Sequence, residues 1–185
     1  MSAISAKLPP RWTLPARLQS GLRASLAGYQ EHVDRAQDAA ATLARNRAFQ
    51  LELEANDFKG LSSMLRESTN LYVVAAGSKL HVGRAPGFAV RRQVAVITRR
   101  GLVGTVTGFV PLDTTLVQEL RARSGLAAAD ALVLMQGNHI VASSPEVNGN
   151  LSVSSGRTET VRVSGTRYRA LLAPAVSTDV HLAVL

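Results

Sequence analysis

Cysteine is absent from the 185 residues, so disulfide frameworks, cysteine-ligated zinc and thiol nucleophiles are all excluded, and the redox compartment is left open. Aromatic residues are scarce at 4%, and the apolar content is mostly Ala, Val and Leu. No apolar stretch approaches the ~18 to 20 residues needed to cross a bilayer, since Asp130 interrupts the nearest candidate. The opening MSAISAKLPPRW lacks the uninterrupted apolar core of a secretory signal, so the chain as it stands reads as a soluble polypeptide. Chemistry is missing too. The four histidines, His32, His81, His139 and His181, fall on different elements without the i, i+4 spacing of a helical metal site. Gly60-Leu-Ser-Ser-Met is no nucleophile elbow, which needs Gly-x-Ser-x-Gly after a strand. Gly104-Thr-Val-Thr-Gly108 lies within a strand pattern and has no following Lys-Ser/Thr, so its glycines serve close packing or a bend rather than phosphate. Asp113, Glu119, Asp130 and Glu146 offer no paired-carboxylate arrangement. The expectation is a protein that is not an enzyme, with no catalytic residues, no metal and no cofactor.

What is present is a globular composition, 46% apolar and 18% charged, sized for one ordinary domain or two small lobes on a shared scaffold. The net charge of +8 is unevenly placed. Residues 69–126 carry eight Lys/Arg against Asp113 and Glu119, an excess of +6, while residues 127–185 carry four of each sign. A basic third can be a solvated surface or can meet an anionic small molecule, a membrane surface or nucleic acid. Nucleic acid is not expected, because only Tyr72, Phe88 and Phe109 are available there for base stacking.

From about residue 18 to 45 the pattern predicts one long helix. Leu22, Leu26, Tyr29, Val33, Ala36, Ala40 and Leu43 follow at steps of 4, 3, 4, 3, 4 and 3, an a/d heptad stripe. The stripe suits an amphipathic helix packed on its own domain and equally a homodimer seam. A short helix is expected at about 57–67, with Phe58, Leu61, Met64 and Leu65 on one face. At Leu71 the period changes to that of strands. LYVVAAG and KLHVGR read as a hairpin around Gly77-Ser78. After a loop, RAPGFAVRR, the runs QVAVITR and LVGTVTGFV read as paired central strands joined through Arg100-Gly101. PLDTTLVQELRARSG reads as a helix, capped by Asp113 or Thr115 and ended by Gly125. DALVLMQG with NHIVASSP, then TETVRVSG with TRYRALLAPA, read as two more hairpins, and VHLAVL as a closing strand. Hairpin, loop and two strands thus occur twice, with Arg100-Gly101 parallel to Ser164-Gly165. The fold class is α+β: a helical stalk over residues 1–70 carrying two small lobes with antiparallel sheets, residues 71–126 and 127–185.

The long helix, LYVVAAGSKLHVGR, VAVITRRGLVGTVTGFVPLDTTLVQEL and ALVLMQGNHIVASSP together resemble Cache domains, PAS-like extracytoplasmic sensor modules of bacterial membrane receptors. The likeness is to the double-Cache arrangement and covers roughly residues 30–185. It implies an extracytoplasmic small-molecule sensor domain of a histidine kinase, chemoreceptor or cyclic-dinucleotide enzyme, anchored in a membrane by flanking helices. The alternative is a soluble cytoplasmic PAS/GAF-like regulatory or protein-interaction module. Two features depart from the double-Cache pattern. The stretch from His81 to Gln93 is short and lacks the ligand signature of amino-acid-sensing members, and the first lobe is small.

Strand alternation places Val94, Val96 and Thr98 on one face of QVAVITR, and Val103, Thr105, Thr107 and Phe109 on one face of LVGTVTGFV. Threonines among valines suggest an apolar lining with a few hydrogen-bonding groups. Arg84, Arg91 and Arg92 in the preceding loop could grip a carboxylate bidentately, and Tyr72 could add a wall or a hydroxyl. The expected ligand site is therefore Tyr72, Arg84, Arg91, Thr98, Thr105 and Thr107 in the first lobe, for an anionic rather than a cationic small molecule.

Overall fold

The structure, a computed structural model, describes residues 14–66, 68, 70–154, 156–173 and 180–185. Helix α1 spans Leu14–Arg45 and is the axis of the molecule. Its lower half sends Leu18, Leu22, Tyr29 and Val33 into one core and its upper half sends Ala40 and Ala44 into another. The heptad stripe is therefore occupied inside the chain. Val33 and Ala40 are only 2% and 0% exposed, so the stripe is not a free seam for a second copy. The solvent side of α1 is polar, running through Gln19, Arg23, Gln30, Asp34 and Asp38.

Two short helices follow: α2 (Arg47–Ala55) and α3 (Phe58–Leu65). The second was expected; its N-cap is Asp57, whose side chain accepts from Lys59 N. The first was missed, although its punctuation is legible afterwards. Asn46 caps its start by accepting from Phe49 N, and Asn56 ends it in the left-handed region at φ 55°. Phe49 and Leu53, four residues apart, are its buried face.

Strands β1 (Leu71–Ala75), β2 (His81–Gly83), β3 (Ala89–Thr98) and β4 (Gly101–Pro111) form a four-stranded antiparallel sheet in the order β2-β1-β4-β3. Two expectations are corrected here. Strand β3 is an edge, not a central strand. It also begins four residues before Gln93, because Val90 is buried while Arg91 points outward, and charged alternation concealed a strand start. Helix α4 (Thr114–Ser124) carries the expected punctuation: Asp113 accepts from Leu116 N at its start and Gly125 sits at φ 66° at its end.

Strands β5 (Leu132–Gln136), β6 (His139–Ser144), β7 (Thr158–Val163), β8 (Thr166–Leu172) and β9 (Val180–Val184) form a second antiparallel sheet, ordered β6-β5-β9-β8-β7. The last part of the third hairpin, residues 174 and 175, lies outside the described residues. The α+β class is as expected. The proposed repeat holds only in part. The neighbour of the first hairpin is β4 in one sheet and β9 in the other, so Ser164-Gly165 does not occupy the place of Arg100-Gly101.

Glycine spacing fixes how α1 meets the first sheet. A Cβ on Gly108 would lie 2.2 Å from the carbonyl oxygen of Ala36, and one on Gly104 would lie 2.7 Å from Leu53 Cδ2. These two glycines let helix backbone and side chain settle directly on β4, which is the close-packing role expected for Gly104-x-x-x-Gly108.

Candidate functional site

Helix contact at Gly104 and Gly108 defines an inner face of the first sheet. Val73, Val82, Val90, Val96, Val106 and Val110 share it, all buried. The opposite, outer face then carries Tyr72, Val74, Thr105, Thr107 and Phe109, since residues in a strand alternate sides. Pairing aligns them in rows: Gly83, Tyr72, Thr107 and Gln93 in one, His81, Val74, Thr105 and Ala95 in the next, and Phe109 beside Arg91. The Arg91 guanidinium carbon stands 6.0 Å from the centroid of the Phe109 ring, within cation–π range. Tyr72 and His81 rings lie 6.0 Å apart on the neighbouring strands.

Four of the six residues selected from sequence, Tyr72, Arg91, Thr105 and Thr107, therefore converge on one face. Two do not. Thr98 lies on the other side of β3, at its end, where its hydroxyl accepts from Arg100 N at 3.2 Å. A register shift after Val96 separates that end from the threonine rows. Arg84 is exposed in the segment between β2 and β3 and belongs to neither strand. The sequence reading also expected valines and threonines on one buried face. In the structure Val94 pairs with Val106 on the inner face, opposite to the threonines. Gln93 and His81 complete the outer face and were not selected; their strand partners, Thr107 and Val74, were the available signal.

Exposure varies across this face. Thr107 and Phe109 are each only 4% exposed, yet Arg91, Gln93, Ala95 and His81 around them are exposed. The chain passes from β2 at one edge to β3 at the other, three strand spacings or about 14 Å across, on a five-residue strap, residues 84–88.

A recess lies between α1, the end of β4 and α4. This groove has a volume of about 580 Å³ and contains none of the six selected residues. Its polar rim includes His32 and Arg35 from α1, Glu119 from α4 and Asp113, the N-cap of α4. His32 Nε2 is 3.3 Å from a Glu119 carboxylate oxygen. Burial, assisted by Arg35, nevertheless holds the His32 imidazole below its ordinary pKa, against the upward pull of Glu119. No sequence pattern announces this groove, whose walls come from segments some eighty residues apart.

Among the described residues, the central strands of the second sheet are covered on both sides. Its inner side packs Leu132, Leu134, Leu182 and Val184 against α1 and α4. Its outer side packs Val133, Met135 and Ala183 under Val147 and Leu151 of the β6–β7 connection. That connection is held by backbone bonds from Ile140 N to Gly149 O and Leu151 N to Asn138 O, and by Ser143, whose hydroxyl both accepts from Val147 N and donates to Val147 O. Among the described residues no group of three His, Asp or Glu could hold a metal ion. No described helix is long and apolar enough to cross a membrane.

One long helix carrying two antiparallel sheets is a fold that this chain shares with solved structures, in keeping with the fold that the Cache resemblance implies. Among solved structures it matches the ligand-binding domain of Mlp24, solved with asparagine, at 14% identity and a TM-score of 0.59, with 92% of each chain covered. It also matches the periplasmic domain of Vibrio cholerae LuxQ at 10% identity and a TM-score of 0.56, covering 91% of this chain and 99% of that one. A selenomethionine structure of the same LuxQ domain gives 11% identity and a TM-score of 0.58, with 91% and 97% covered. No family model matches the chain, and no curated protein matches it.

Proposed function

We propose that this chain is the extracytoplasmic small-molecule sensor domain of a membrane receptor and that it binds its ligand on the outer face of the first sheet. The observation that carries the reading is the contrast in the two outer faces: Val147 and Leu151 seal the second, while the first presents Tyr72, Thr105, Thr107, Gln93 and Arg91. A half-apolar recess with a few directed polar groups is the usual make-up of a small-molecule site. Arg91, held over Phe109, offers two parallel donors to a carboxylate, so the ligand is anionic. The first sheet and the second form the two lobes, residues 71–126 and 127–185, and binding at the first shifts α1, which both share. Such a shift requires different affinity for the two positions of the helix. Pairing of two copies along α1 belongs to the same reading, with the polar outer face as the contact.

A panel of small carboxylates, followed by melting temperature, tests the proposal. A ligand at about 100 times its dissociation constant stabilises the fold by about 2.7 kcal/mol. Arg91→Ala and Thr107→Val should each abolish that gain while leaving the unliganded melting temperature nearly unchanged. Stabilisation that survives both substitutions and is lost with Arg35→Ala would move the ligand to the α1–α4 groove.

A further inference from the structure

Residues 127–185 carry no net charge by count, and that balance conceals a cluster. In the β7–β8 hairpin Arg162 pairs directly with Arg167, and Thr160 with Arg169. The three arginines thus stand on one face, and all are exposed. Like charges placed opposite each other across two strands destabilise a hairpin. No acidic side chain offsets them: among the described residues none of the three forms an ion pair. The hairpin is nonetheless held firmly from behind. Val163 is buried with Val161 and Tyr168 against it, and the Ser164 hydroxyl donates to Asn148 O at 2.6 Å.

Register gives the direction in which this hairpin points. Val184 of β9 is level with Leu132 on one side and Leu171 on the other. From Leu171 the hairpin continues to Thr166 at its tip, in the direction that β9 runs. Five residues at ~3.3 Å each carry the tip about 16 Å past Val184. Helix α1 starts from the same end. Arg17 in its first turns bonds Asp130 at 2.8 Å, and the next residue, Ala131, exchanges two backbone hydrogen bonds with Leu185. The arginine face therefore projects beyond the place where α1 enters and β9 leaves.

We infer that the β7–β8 hairpin docks on the anionic phospholipid headgroups of the membrane that carries the domain, with Arg162, Arg167 and Arg169 as its contacts. The inference rests on the reading of this chain as a membrane-tethered receptor domain, for then both chain ends lead toward the bilayer and the hairpin reaches it first. Guanidinium groups suit phosphate because they donate in a planar fork. The arrangement fixes the height and tilt of the second lobe over the membrane, and the strength of the contact depends on lipid charge and salt.

Flotation of the 185-residue chain with vesicles of phosphatidylcholine, with or without phosphatidylglycerol, tests this directly. Binding is expected only with phosphatidylglycerol and should weaken as salt rises toward physiological strength. Replacing Arg162, Arg167 and Arg169 by Gln should lower partitioning about a hundredfold, from roughly a fivefold loss per arginine. A charge-matched variant, Arg45, Arg47 and Arg99 to Gln, all exposed and away from the hairpin, should bind as the wild type does. Equal losses in the two variants would show a response to net charge and overturn the inference, as would failure of the wild type to float. Tighter capture by a short nucleic-acid duplex than by the vesicles would overturn it in favour of a different partner. None of these outcomes involves the carboxylate panel, so a failed sensor reading and a failed docking surface are told apart.

Discussion

The two sheets are built on one helix with similar strand pairing, yet they treat their outer faces in opposite ways. The second sheet uses the thirteen-residue connection after β6 as an apolar plug, with Val147 and Leu151 placed over Val133 and Met135. The first has a five-residue strap at the corresponding place and leaves polar side chains around Thr107 and Phe109. A sheet sealed on both sides gains stability from every strand, whereas a sheet sealed on one side keeps a surface available for something else. The difference lies in the connection between strands rather than in the strands themselves.

The largest expected effect tests the seal. Leu151 lies in a connection rather than a strand, but it is only 1% exposed. Leu151→Ala should cost about 2 to 5 kcal/mol in urea denaturation, the range for emptying a packed core site. A cost well under 1 kcal/mol would mean that the plug is loose and that the second sheet is as open as the first. A smaller effect tests the inner side of the first sheet. Gly108→Ala forces a methyl against the Ala36 carbonyl, so α1 must lift from β4, at about 1 to 3 kcal/mol. The same change should alter ligand affinity if the two faces of β4 are coupled; unchanged affinity at lowered stability would separate them.

The smallest effect concerns pH and the groove between α1 and α4. His32 is held below the ordinary imidazole pKa by burial first and Arg35 second. The unfolded chain therefore binds this proton more readily than the folded one, and stability falls as pH drops below about 6.5 toward the lowered folded value. His32→Gln should flatten that part of the stability–pH curve while leaving the alkaline side unchanged. An anion bound beside His32 in the groove would offset the depression, so a ligand that abolishes the acid slope belongs there and not on the outer face.

Much of this architecture is legible in the residues, and the exceptions have physical causes. Heptad spacing marked α1, and turn glycines marked the hairpins, because helices and strands of this kind carry their period in their apolar residues. Helix α2 offered only Phe49 and Leu53, too little period to register, and its asparagine caps were passed over. The arrangement of the residues selected for the candidate site was half legible. Alternation grouped Thr105 with Thr107 correctly, but it could not say which side of β4 faces the helices. Gly104 and Gly108 hold that information, since residues without side chains mark where another backbone arrives. Thr98 was grouped with residues that lie on the other face of the sheet, because β3 and β4 were read without their pairing. The arginine hairpin was hidden by neutral composition, and the groove by the distance in sequence between its walls.

The junction at the lower end of α1 has a mechanical consequence. A helix this long, gripped by the first sheet near Ala40 and by the second from Leu18 to Val33, is a shared axle, not a hinge. From Ala40 down to Arg17 it spans about 34 Å, so each degree of tilt about the upper grip sweeps the lower end by about 0.6 Å. Arg17 passes that sweep to Asp130, and Asp130 adjoins the backbone bridge from Ala131 to Leu185. A tilt of α1 about the upper grip would thereby reach Arg17, Asp130 and the Ala131–Leu185 bridge together.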